Sequence, residues 1–428
     1  MKKIIIPFLL GVAVSFYFFP VSFTFLPASL NTKKMMAAIG IAIFCFKGFK
    51  SGSLFSFHKD VLGSALMAAL FSFVCFVSVV NNDTNDMTYA TYITSFFVWL
   101  SGAYCMCALL KARYGYLTIE IITKYLLWVC FAQCVAMLLI DNIPAFSDLV
   151  DKIFSGNEFV RRKNRKYGIG CGLDPAGVRF TIVLVLSAFV AIRSIFPQRK
   201  FWKSASWLFA FFFVVVFGNV ISRTTIVGAG IGIAYMFLYM LTIKRGELSG
   251  DRVKTFSVLF ALLLVSIPIL IYLYNTSDSM HSNLRFAFEG FFNWAETGEW
   301  RTDSTDKLDA VMWVWPTNTH DWIIGTGIID SYAFSTDIGY CRFILYCGLI
   351  GFGIFSIFFI YNAIAVSRRF EGTGLLALML LALTFIIWIK VSTDIFMIYA
   401  ILFCLDAYGV SDLELDPGEE IDTELLEI

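Results

Sequence analysis

Long runs of apolar residues, separated by short polar segments, dominate the chain. Runs of roughly 15 to 24 residues can cross a bilayer as a helix. Such runs lie at 4–26, 33–46, 61–80, 89–110, 117–140, 177–196, 204–221, 224–243, 255–274, 342–366, 374–389 and 395–408. Because the runs are continuous rather than alternating, they favour helices over the strands of a membrane barrel. The pattern therefore predicts an all-α, polytopic integral membrane protein with about 12 transmembrane helices.

Composition supports the same class of protein. Hydrophobic residues make up 58% of the chain, charged residues make up 15%, and the mean hydropathy is +0.76, far from the values of soluble domains. A net charge of +1 gives no reason to expect a nucleic-acid partner. The first residues, MKKIIIPFLLGVAVSFYFFPVSF, have the basic flank and apolar core of a signal peptide, but no small-residue cleavage site follows them. We expect them to form the first transmembrane helix.

Lys and Arg residues orient the predicted helices. With the N-terminus in the cytoplasm, every inside loop has at least two basic residues, whereas the outer segment NNDTND (81–86) has none. This pattern predicts one polytopic domain over 1–408 and an acidic cytoplasmic tail over 409–428. Two predicted periplasmic loops, 141–176 and 275–341, are much longer than the other connections, and the second is long enough to hold short amphipathic helices. We expect the chemistry of the protein there.

The cysteines and histidines predict neither a disulfide framework nor a metal site. Only Cys171 and Cys341 lie near predicted outer loops, and a disulfide between them is the less favoured alternative to free thiols. The sequence has no CxxC pair and no His/Cys cluster. We therefore expect no bound metal and no cofactor.

One arginine lies between two apolar runs, at the point where the first ends and the second begins. In GNVISRTTIVGAGIG (218–232), Arg223 falls in a turn of little more than Ser222, Arg223 and Thr224, at the predicted outer end of a hairpin. Arginine at bilayer depth costs about 3 kcal/mol on insertion scales, so an ionisable residue there is a candidate functional residue. The small residues of GAGIG allow close helix packing and a rigid support. The alternative is an arginine that only extends to the lipid headgroups.

Three further arginines are predicted to lie at the same membrane face: Arg179, Arg285 and Arg342. Arginine presents a planar fork of donors that stays charged and matches phosphate oxygens. The segment RRKNRKYGIGCGLDPAG (161–177) adds basic residues, including Arg165, that form either a solvated basic face or a collar for an anionic substrate. Four arginines from separate hairpins at one depth favour a diphosphate site.

The candidates for proton transfer are four side chains of the outer segments: Asp337, Asp330, His320 and Asp174. Asp337 is the best placed, because DIGYCR puts it close to Tyr340 and Arg342 at the mouth of a helix. An aspartate at that point is also suited to cap the helix. His320 titrates near neutral pH, but it is a lone loop histidine, and such residues are usually only solvated.

Three motifs carry a resemblance to a known family. They are SRTTIVGAGIG (222–232), ETGEWRTDSTDKLDAVMWVWP (296–316) leading to WIIGTGI, and TDIGYCRFILYCGLIGFG (336–353). In this order the motifs resemble those of the bacterial O-antigen polymerases (Wzy type), which are related to the O-antigen ligases. The resemblance covers about residues 160 to 370, and the first 150 residues add only their hydropathy.

The resemblance implies a metal-independent glycosyltransferase of lipopolysaccharide biosynthesis in the bacterial inner (cytoplasmic) membrane, with its active site facing the periplasm. It would transfer the growing glycan from undecaprenyl diphosphate to a hydroxyl of the next lipid-linked repeat unit, and a chain-length regulator is a further expected partner. The chemistry of the residues leads independently to a hypothesis for their roles. Arg223 and Arg285 would hold the donor diphosphate, Arg179 and Arg342 would hold the second diphosphate or the donor sugar, and Asp337 would accept the proton. A diphosphate is a good leaving group, so arginines that stabilise its charge suffice by this logic.

Two alternatives to a polymerase stay open. An O-antigen ligase transfers finished glycan to the lipid A core, and the ligases resemble this chain except that they have a histidine where this chain has Asp337. The second alternative is a transporter that flips lipid-linked oligosaccharides. Transporters tend to show repeated halves and ionisable residues near the bilayer midplane. This chain shows no repeat, its charges gather at one predicted face, and only Lys124 and Lys390 look intramembrane.

Overall fold

The computed structural model describes residues 2–27, 29–51, 58–156, 160–161, 165–195, 201–242, 268, 271–272, 274–329 and 334–406. Most of the predicted span at 255–274, the acidic tail at 409–428 and Asp330 lie outside these residues. Each predicted span within them contains a helix, but the first is shorter than predicted. Its helix ends at Phe18, before Pro20, and Ser22–Phe23 of the predicted span 4–26 form a strand.

Helices make up most of the described chain. They are α1 (Lys2–Phe18), α2 (Thr32–Ser51), α3 (Lys59–Asn81), α4 (Tyr92–Tyr114), α5 (Ile119–Asn142), α6 (Pro144–Ile153), α7 (Leu173–Val190), α8 (Phe201–Ile221), α9 (Thr225–Thr242), α10 (Asp278–Ala287), α11 (Glu289–Thr297), α12 (Asp303–Lys307), α13 (Thr319–Ile323), α14 (Gly339–Arg369), α15 (Gly374–Trp388) and α16 (Phe396–Phe403). Single π-helical turns, Ala191–Ile195 and Leu308–Met312, continue α7 and α12. The strands form two antiparallel pairs: β1 (Ser22–Phe23) with β2 (Phe154–Ser155), and β3 (Tyr167–Gly168) with β4 (Cys171–Gly172).

Six helical segments of the described chain are long and apolar enough to cross a membrane. They are α3, α4, α5, α7 with its π-helical turn, α8 and α14. Large apolar side chains also point away from the bundle, among them Leu66 and Phe73 on α3 and Phe237 on α9. Such a surface suits contact with lipid tails, which are as apolar as leucine. These features indicate a helical membrane protein, and the number of 12 spans stays a prediction.

α7 is the central helix of the bundle. It packs against α5, α8, α9 and α15, and nearly all of its side chains are buried. Elsewhere α2 packs on α4, and α14 packs on α3 and α15. Aromatic rings fill the space between distant parts of the chain, because Phe71 stacks on Phe355 with ring centres 4.2 Å apart, and Phe355 stacks on Trp388 at 5.3 Å. Residues from the first and last quarters of the chain therefore share one core.

Local sequence sets where several helices begin and break. The Thr118 hydroxyl accepts a hydrogen bond from the amide of Ile121 (3.3 Å) and caps α5, and α6 starts with Pro144, a residue suited to a first helical position. α14 breaks at Gly348, whose φ of 62° is a backbone conformation that glycine adopts without strain.

The break in α14 anchors the second long loop. It frees the carbonyls of Leu345 and Tyr346, which accept hydrogen bonds from the amides of Thr326 (2.6 Å) and Gly327 (3.0 Å). The hydroxyl of Ser78 on α3 donates to the same Tyr346 carbonyl at 2.7 Å. The GTG turn that contains Thr326 is thereby fixed to the bundle.

One end of the bundle holds the larger connections. We name it the loop-rich end, and it consists of the described residues within 19–31, 82–91, 143–172, 222–224, 275–338 and 389–395. Hydrogen bonds join these connections to one another: the Tyr89 hydroxyl donates to the carbonyl of Ser392 (2.8 Å), and the amide of Ile329 donates to the carboxylate of Asp86 (2.8 Å). Both long segments that the sequence predicts to be outer loops lie at this end.

All ten cysteines are free thiols. Cys171 and Cys341 are both buried, and the disulfide between them is not formed. Eight of the ten cysteines are buried, and Cys45 and Cys404 are partly exposed.

Candidate functional site

Arg223 lies at the tip of the tight hairpin that α8 and α9 form at the loop-rich end. α8 ends at Ile221 and α9 begins at Thr225, so the turn consists of Ser222, Arg223 and Thr224, as the sequence predicts. The amide of Thr225 donates to the carbonyl of Ser222 (3.0 Å), and both residues are buried. The Arg223 side chain is only 15% exposed, so its guanidinium is held largely out of solvent.

Close packing of α9 on α7 holds this turn in place. A Cβ atom on Gly228 would lie 2.6 Å from the carbonyl oxygen of Thr181, and one on Gly177 would lie 2.4 Å from Oγ of Ser222, so neither position has room for a larger residue. The Thr181 hydroxyl also donates to the carbonyl of Thr224 at 2.9 Å. The prediction that the small residues after Arg223 allow close helix packing is therefore confirmed at Gly228.

Arg223 shares an aromatic ring with Arg165. The guanidinium carbon of Arg223 lies 4.4 Å from the centre of the Phe286 ring, and that of Arg165 lies 4.3 Å from it. Arg223 also forms an ion pair with Glu289, the first residue of α11. The Glu289 carboxylate accepts a further hydrogen bond from the amide of Asp303 (2.8 Å). Two guanidiniums from separate segments are thus held at one ring.

Lys390 brings a third cation to this group. It lies in the connection between α15 and α16, and its Nζ is 3.7 Å from Oδ1 of Asp174 at the start of α7. The same oxygen accepts a hydrogen bond from Oγ of Ser222 (3.5 Å), the residue before Arg223. We define the cation cluster as Arg165, Arg223 and Lys390 with the carboxylates of Asp174 and Glu289. Its five members come from five separate segments of the chain.

Burial and mutual repulsion penalise the charged forms of two of these cations. Burial lowers the pKa of Arg165, and nearby Arg223 lowers it further, while Asp174 and Glu289 raise it. Burial also lowers the pKa of Lys390 against the opposing effect of Asp174, and the two arginines add to the decrease. With three cations and two carboxylates, the cluster has an excess of positive charge. A multivalent anion bound among the cations would relieve their repulsion.

Arg179 lies farther along α7, inside the bundle. Its Nη1 makes one long hydrogen bond (3.4 Å) to the carbonyl of Pro175 in its own helix, and its guanidinium carbon lies 5.7 Å from the Phe19 ring centre. Its Nε is buried and has no hydrogen-bond partner within the described residues. Asp394 and Lys33 lie close enough to Arg179 to interact with it electrostatically. We name Arg179, Asp394 and Lys33 the inner cluster.

Arg342 and Tyr340, which the sequence predicts to lie beside Asp337, bond to different elements. Arg342 donates from Nε (3.1 Å) and Nη2 (2.6 Å) to the carbonyl of Ile329, and the Tyr340 hydroxyl donates to the carbonyl of Phe385 (2.9 Å). Asp337 is exposed, and α14 begins without a side-chain cap, so Asp337 does not cap that helix. The predicted roles of Arg342 in binding and of Asp337 in proton transfer stay predictions.

Arg285 and His320 bond to surface neighbours. Arg285 forms a two-point pair with Glu296, with Nη2 2.6 Å from Oε2, and this pair raises the pKa of Arg285. His320 has Nε2 2.6 Å from Nδ2 of Asn81 and Nδ1 3.1 Å from Oδ1 of Asp321. Both side chains lie at the loop-rich end, but these partners are not members of the cation cluster.

The basic segment before α7 divides between two environments. Arg161 pairs with Asp151, and Lys166 pairs with Asp141. Among the described residues of this segment, only Arg165 joins the cation cluster. The interpretation as an anion collar therefore fits Arg165, and the interpretation as a surface charge fits Arg161, whose side chain is 55% exposed.

Three tryptophans of the second long loop form a row. The ring centres of Trp313 and Trp315 are 5.8 Å apart, and those of Trp315 and Trp322 are also 5.8 Å apart with an interplanar angle of 14°. Trp313 and Trp315 are large exposed side chains. Flat indole surfaces with a polar nitrogen suit a ligand that has apolar faces and polar edges, such as a sugar ring.

Several site residues are not found by sequence reasoning. Lys390 and Asp394 could have been found from the sequence, because they are charged residues in a short polar segment between two apolar runs, as Arg223 is. Glu289 and Phe286 could not, because their contacts depend on how the second long loop folds back on the bundle. Among the described residues, no group of three or more His, Cys, Asp or Glu side chains is placed to hold a metal ion.

Comparison of the chain with protein-family models found no match, and comparisons with curated proteins and with solved structures found none either. The resemblance to the O-antigen polymerases therefore rests on the three sequence motifs.

Proposed function

We propose that the protein is a membrane glycosyltransferase that lengthens an undecaprenyl-diphosphate-linked glycan, as the O-antigen polymerases do. The observation that carries the proposal is the cation cluster. Arg165, Arg223 and Lys390 gather at the loop-rich end, where the diphosphate of a lipid-linked substrate would bind. Guanidiniums pair with phosphate oxygens through two parallel hydrogen bonds, and a diphosphate offers several such oxygens. The motif resemblance adds the class of lipid and the reaction.

The cluster would act on the leaving group. When the bond between the anomeric carbon and the diphosphate breaks, negative charge grows on the phosphate oxygens. Cations held in place by the protein stabilise that charge without reorganising, and removal of one such donor typically costs about 10²- to 10³-fold in turnover. Arg223 meets this requirement because α7 and Phe286 fix its turn and its guanidinium. Its ion pair with Glu289 also helps to orient the guanidinium.

The proposal also gives an orientation and a place for the glycan. The loop-rich end would face the periplasm of a bacterial inner membrane, in agreement with the distribution of Lys and Arg among the loops. The glycan would extend over the second long loop, where the row of Trp313, Trp315 and Trp322 offers aromatic faces for sugar rings. A chain-length regulator would be a partner of this assembly.

The surface-glycan ladder of a strain deleted for the gene tests the proposal. Core lipid that has a single repeat unit, with the ladder restored by the wild-type gene, would support a polymerase, because flipping and ligation are then intact. A bare core would instead indicate a ligase or a flippase, and the membrane side on which lipid-linked repeat units accumulate would separate those two. An unchanged ladder would overturn all three assignments.

A further inference from the structure

The cation cluster and the inner cluster lie at two successive levels along α7. Both include residues of α7 together with residues of the connection between α15 and α16. Asp174 and Arg179 are five residues apart on α7, about 7.5 Å of helix rise. Lys390 and Asp394 belong to the same short connection. Lys390 pairs with Asp174 at the first level, and Asp394 lies near Arg179 at the second. The Asp394 carboxylate therefore belongs to the level of Arg179, next to that of the cation cluster.

Asp394 is held in a defined position at that level. Its Oδ1 accepts a hydrogen bond from the amide of Phe396 (2.9 Å), which fixes the carboxylate at the start of α16. Two cations from other helices interact with it, Lys33 on α2 and Arg179 on α7. Tyr89, in the connection before α4, and Tyr92, the first residue of α4, also lie within electrostatic range. The carboxylate thus lies within electrostatic range of charged groups from α2 and α7.

The protonation behaviour of Asp394 suits a base. Burial raises the pKa of its carboxyl, and this effect exceeds the lowering by the Phe396 amide, Lys33 and Arg179. A carboxylate with a raised pKa accepts a proton more readily, and the best catalytic bases have pKa values near the working pH. Asp337, the base that the sequence predicts, is exposed instead.

We propose that Asp394 is the general base of the glycosyl transfer and that Arg179 and Lys33 position its carboxylate and the acceptor hydroxyl. This inference rests on the proposed function. The acceptor oxygen forms a bond to the anomeric carbon of the donor glycan, and its proton moves to the Asp394 carboxylate. The bond from the anomeric carbon to the diphosphate oxygen breaks, and its electron pair stays on the diphosphate. The proton then leaves Asp394 for water, so no oxidant or metal is consumed.

Arg179, whose Nε is buried, fits this arrangement. Its Nε has no hydrogen-bond partner within the described residues, and Nη1 makes only the long bond to Pro175. A bound sugar hydroxyl would supply an acceptor for this donor. The unmet donor is an independent sign of a ligand, because buried polar groups are normally hydrogen-bonded.

The test uses the full-length protein in detergent or lipid discs and the lipid-linked repeat unit purified from cells that lack the gene. Turnover, KM and their pH dependence are measured for wild type, Asp394→Asn, Asp394→Glu and Asp337→Asn. Asp83→Asn, an exposed aspartate at the same end of the bundle, is the matched control. We expect Asp394→Asn to lower turnover by about 10²- to 10⁴-fold with little change in KM.

The pH profile separates a base from a structural residue. The wild-type rate should fall as the pH drops through the raised pKa of Asp394, because the protonated carboxyl cannot accept a proton. Asp394→Asn should lose this acid limb, whereas Asp394→Glu should keep it at a reduced rate. Full turnover in Asp394→Asn, or an unchanged acid limb, would overturn the assignment. The assignment would also be overturned if weaker binding of the repeat unit accounted for the whole loss of activity in Asp394→Asn.

Two further outcomes would separate a wrong choice of base from a wrong function. A loss in Asp337→Asn as large as in Asp394→Asn would return the role to Asp337 and overturn our assignment. A wild-type protein that binds the repeat unit but lengthens no glycan would overturn the proposed function itself, and not only the choice of base.

Discussion

Arg223 and Glu289 form an ion pair that joins the turn between α8 and α9 to the start of α11, and only 15% of each side chain is exposed. Removing one partner of a buried pair leaves the other charge uncompensated, whereas replacing both by neutral groups is often nearly neutral for stability. We therefore expect Arg223→Gln and Glu289→Gln each to lower the free energy of unfolding by up to about 3 kcal/mol. The double variant should recover most of that loss in thermal unfolding in detergent.

Activity should not recover with stability. If Arg223 binds diphosphate, the double variant stays unable to restore the glycan ladder even though it unfolds near the wild-type temperature. A double variant that is both stable and active would show that Arg223 is needed only to neutralise Glu289. The pair thus separates a structural arginine from one that binds substrate.

The position of Arg223 could be predicted from the sequence because the apolar runs on either side leave only three residues for a turn. The identity of its partners could not. Glu289 lies 66 positions away, and its approach depends on how the second long loop folds. The same holds for Asp394. Its position between two apolar runs predicts only that it lies in a connection, and its contacts depend on the helices that pack beside it. The positions of the apolar runs predict which end of the bundle a residue occupies, and tertiary packing decides what the residue contacts there.

The helix pattern near Asp337 shows the limit of local spacing. DIGYCR predicts that Asp337, Tyr340 and Arg342 form one group, and their backbones are indeed adjacent. Their side chains point to separate elements because the break at Gly348 and the GTG turn bring Ile329 within reach of Arg342. No sequence signal indicates that contact.

Arg165 should matter more than its neighbour Arg161. Arg165 stacks on Phe286 within the cation cluster, whereas Arg161 is exposed and pairs with Asp151. A charge-assisted hydrogen bond contributes about 1.5 to 3 kcal/mol, so Arg165→Ala should weaken binding of the lipid-linked repeat unit roughly tenfold to a hundredfold. Arg161→Ala should stay within about twofold of wild type, because exposed ion pairs contribute little.

The control and the test remove the same side chain from the same basic segment. Equal losses in Arg165→Ala and Arg161→Ala would mean that the segment acts as a diffuse basic surface. Binding would then depend steeply on ionic strength in both variants. A loss confined to Arg165→Ala would localise the anion at the Phe286 ring.

Arg285 and Arg223 should differ in effect. Both are predicted ligands of the donor diphosphate, but Arg285 is bound at two points to Glu296 on an exposed surface. We expect Arg285→Ala to shorten the glycan ladder less than Arg223→Ala does, because Arg285 is more exposed and lies outside the cation cluster, whereas Arg223 is a member of it. Equal losses in the two variants, measured at matched protein levels in membranes, would restore the original pairing.

Two glycines of the same helix test whether close packing of α9 on α7 supports the site. A Cβ atom on Gly228 would lie 2.5 Å from Cα of Thr181, whereas one on Gly230 would meet nothing within 4 Å. Overpacking typically costs about 1 to 3 kcal/mol, so Gly228→Ala should lower the unfolding temperature in detergent. It should also lower polymer yield, since the Arg223 turn follows α9 when that helix is pushed away from α7.

Gly230→Ala is the matched control, because it makes the same change two residues farther along the helix. Alanine favours a helix over glycine by about 1 kcal/mol, so this variant should unfold at or slightly above the wild-type temperature and keep full polymer yield. If Gly228→Ala matched it in both measurements, the contact with Thr181 would not position Arg223. If Gly228→Ala lost stability but kept full polymer yield, the turn would keep its geometry when α9 shifts. Only a joint loss of stability and yield supports rigid placement of the arginine by helix packing.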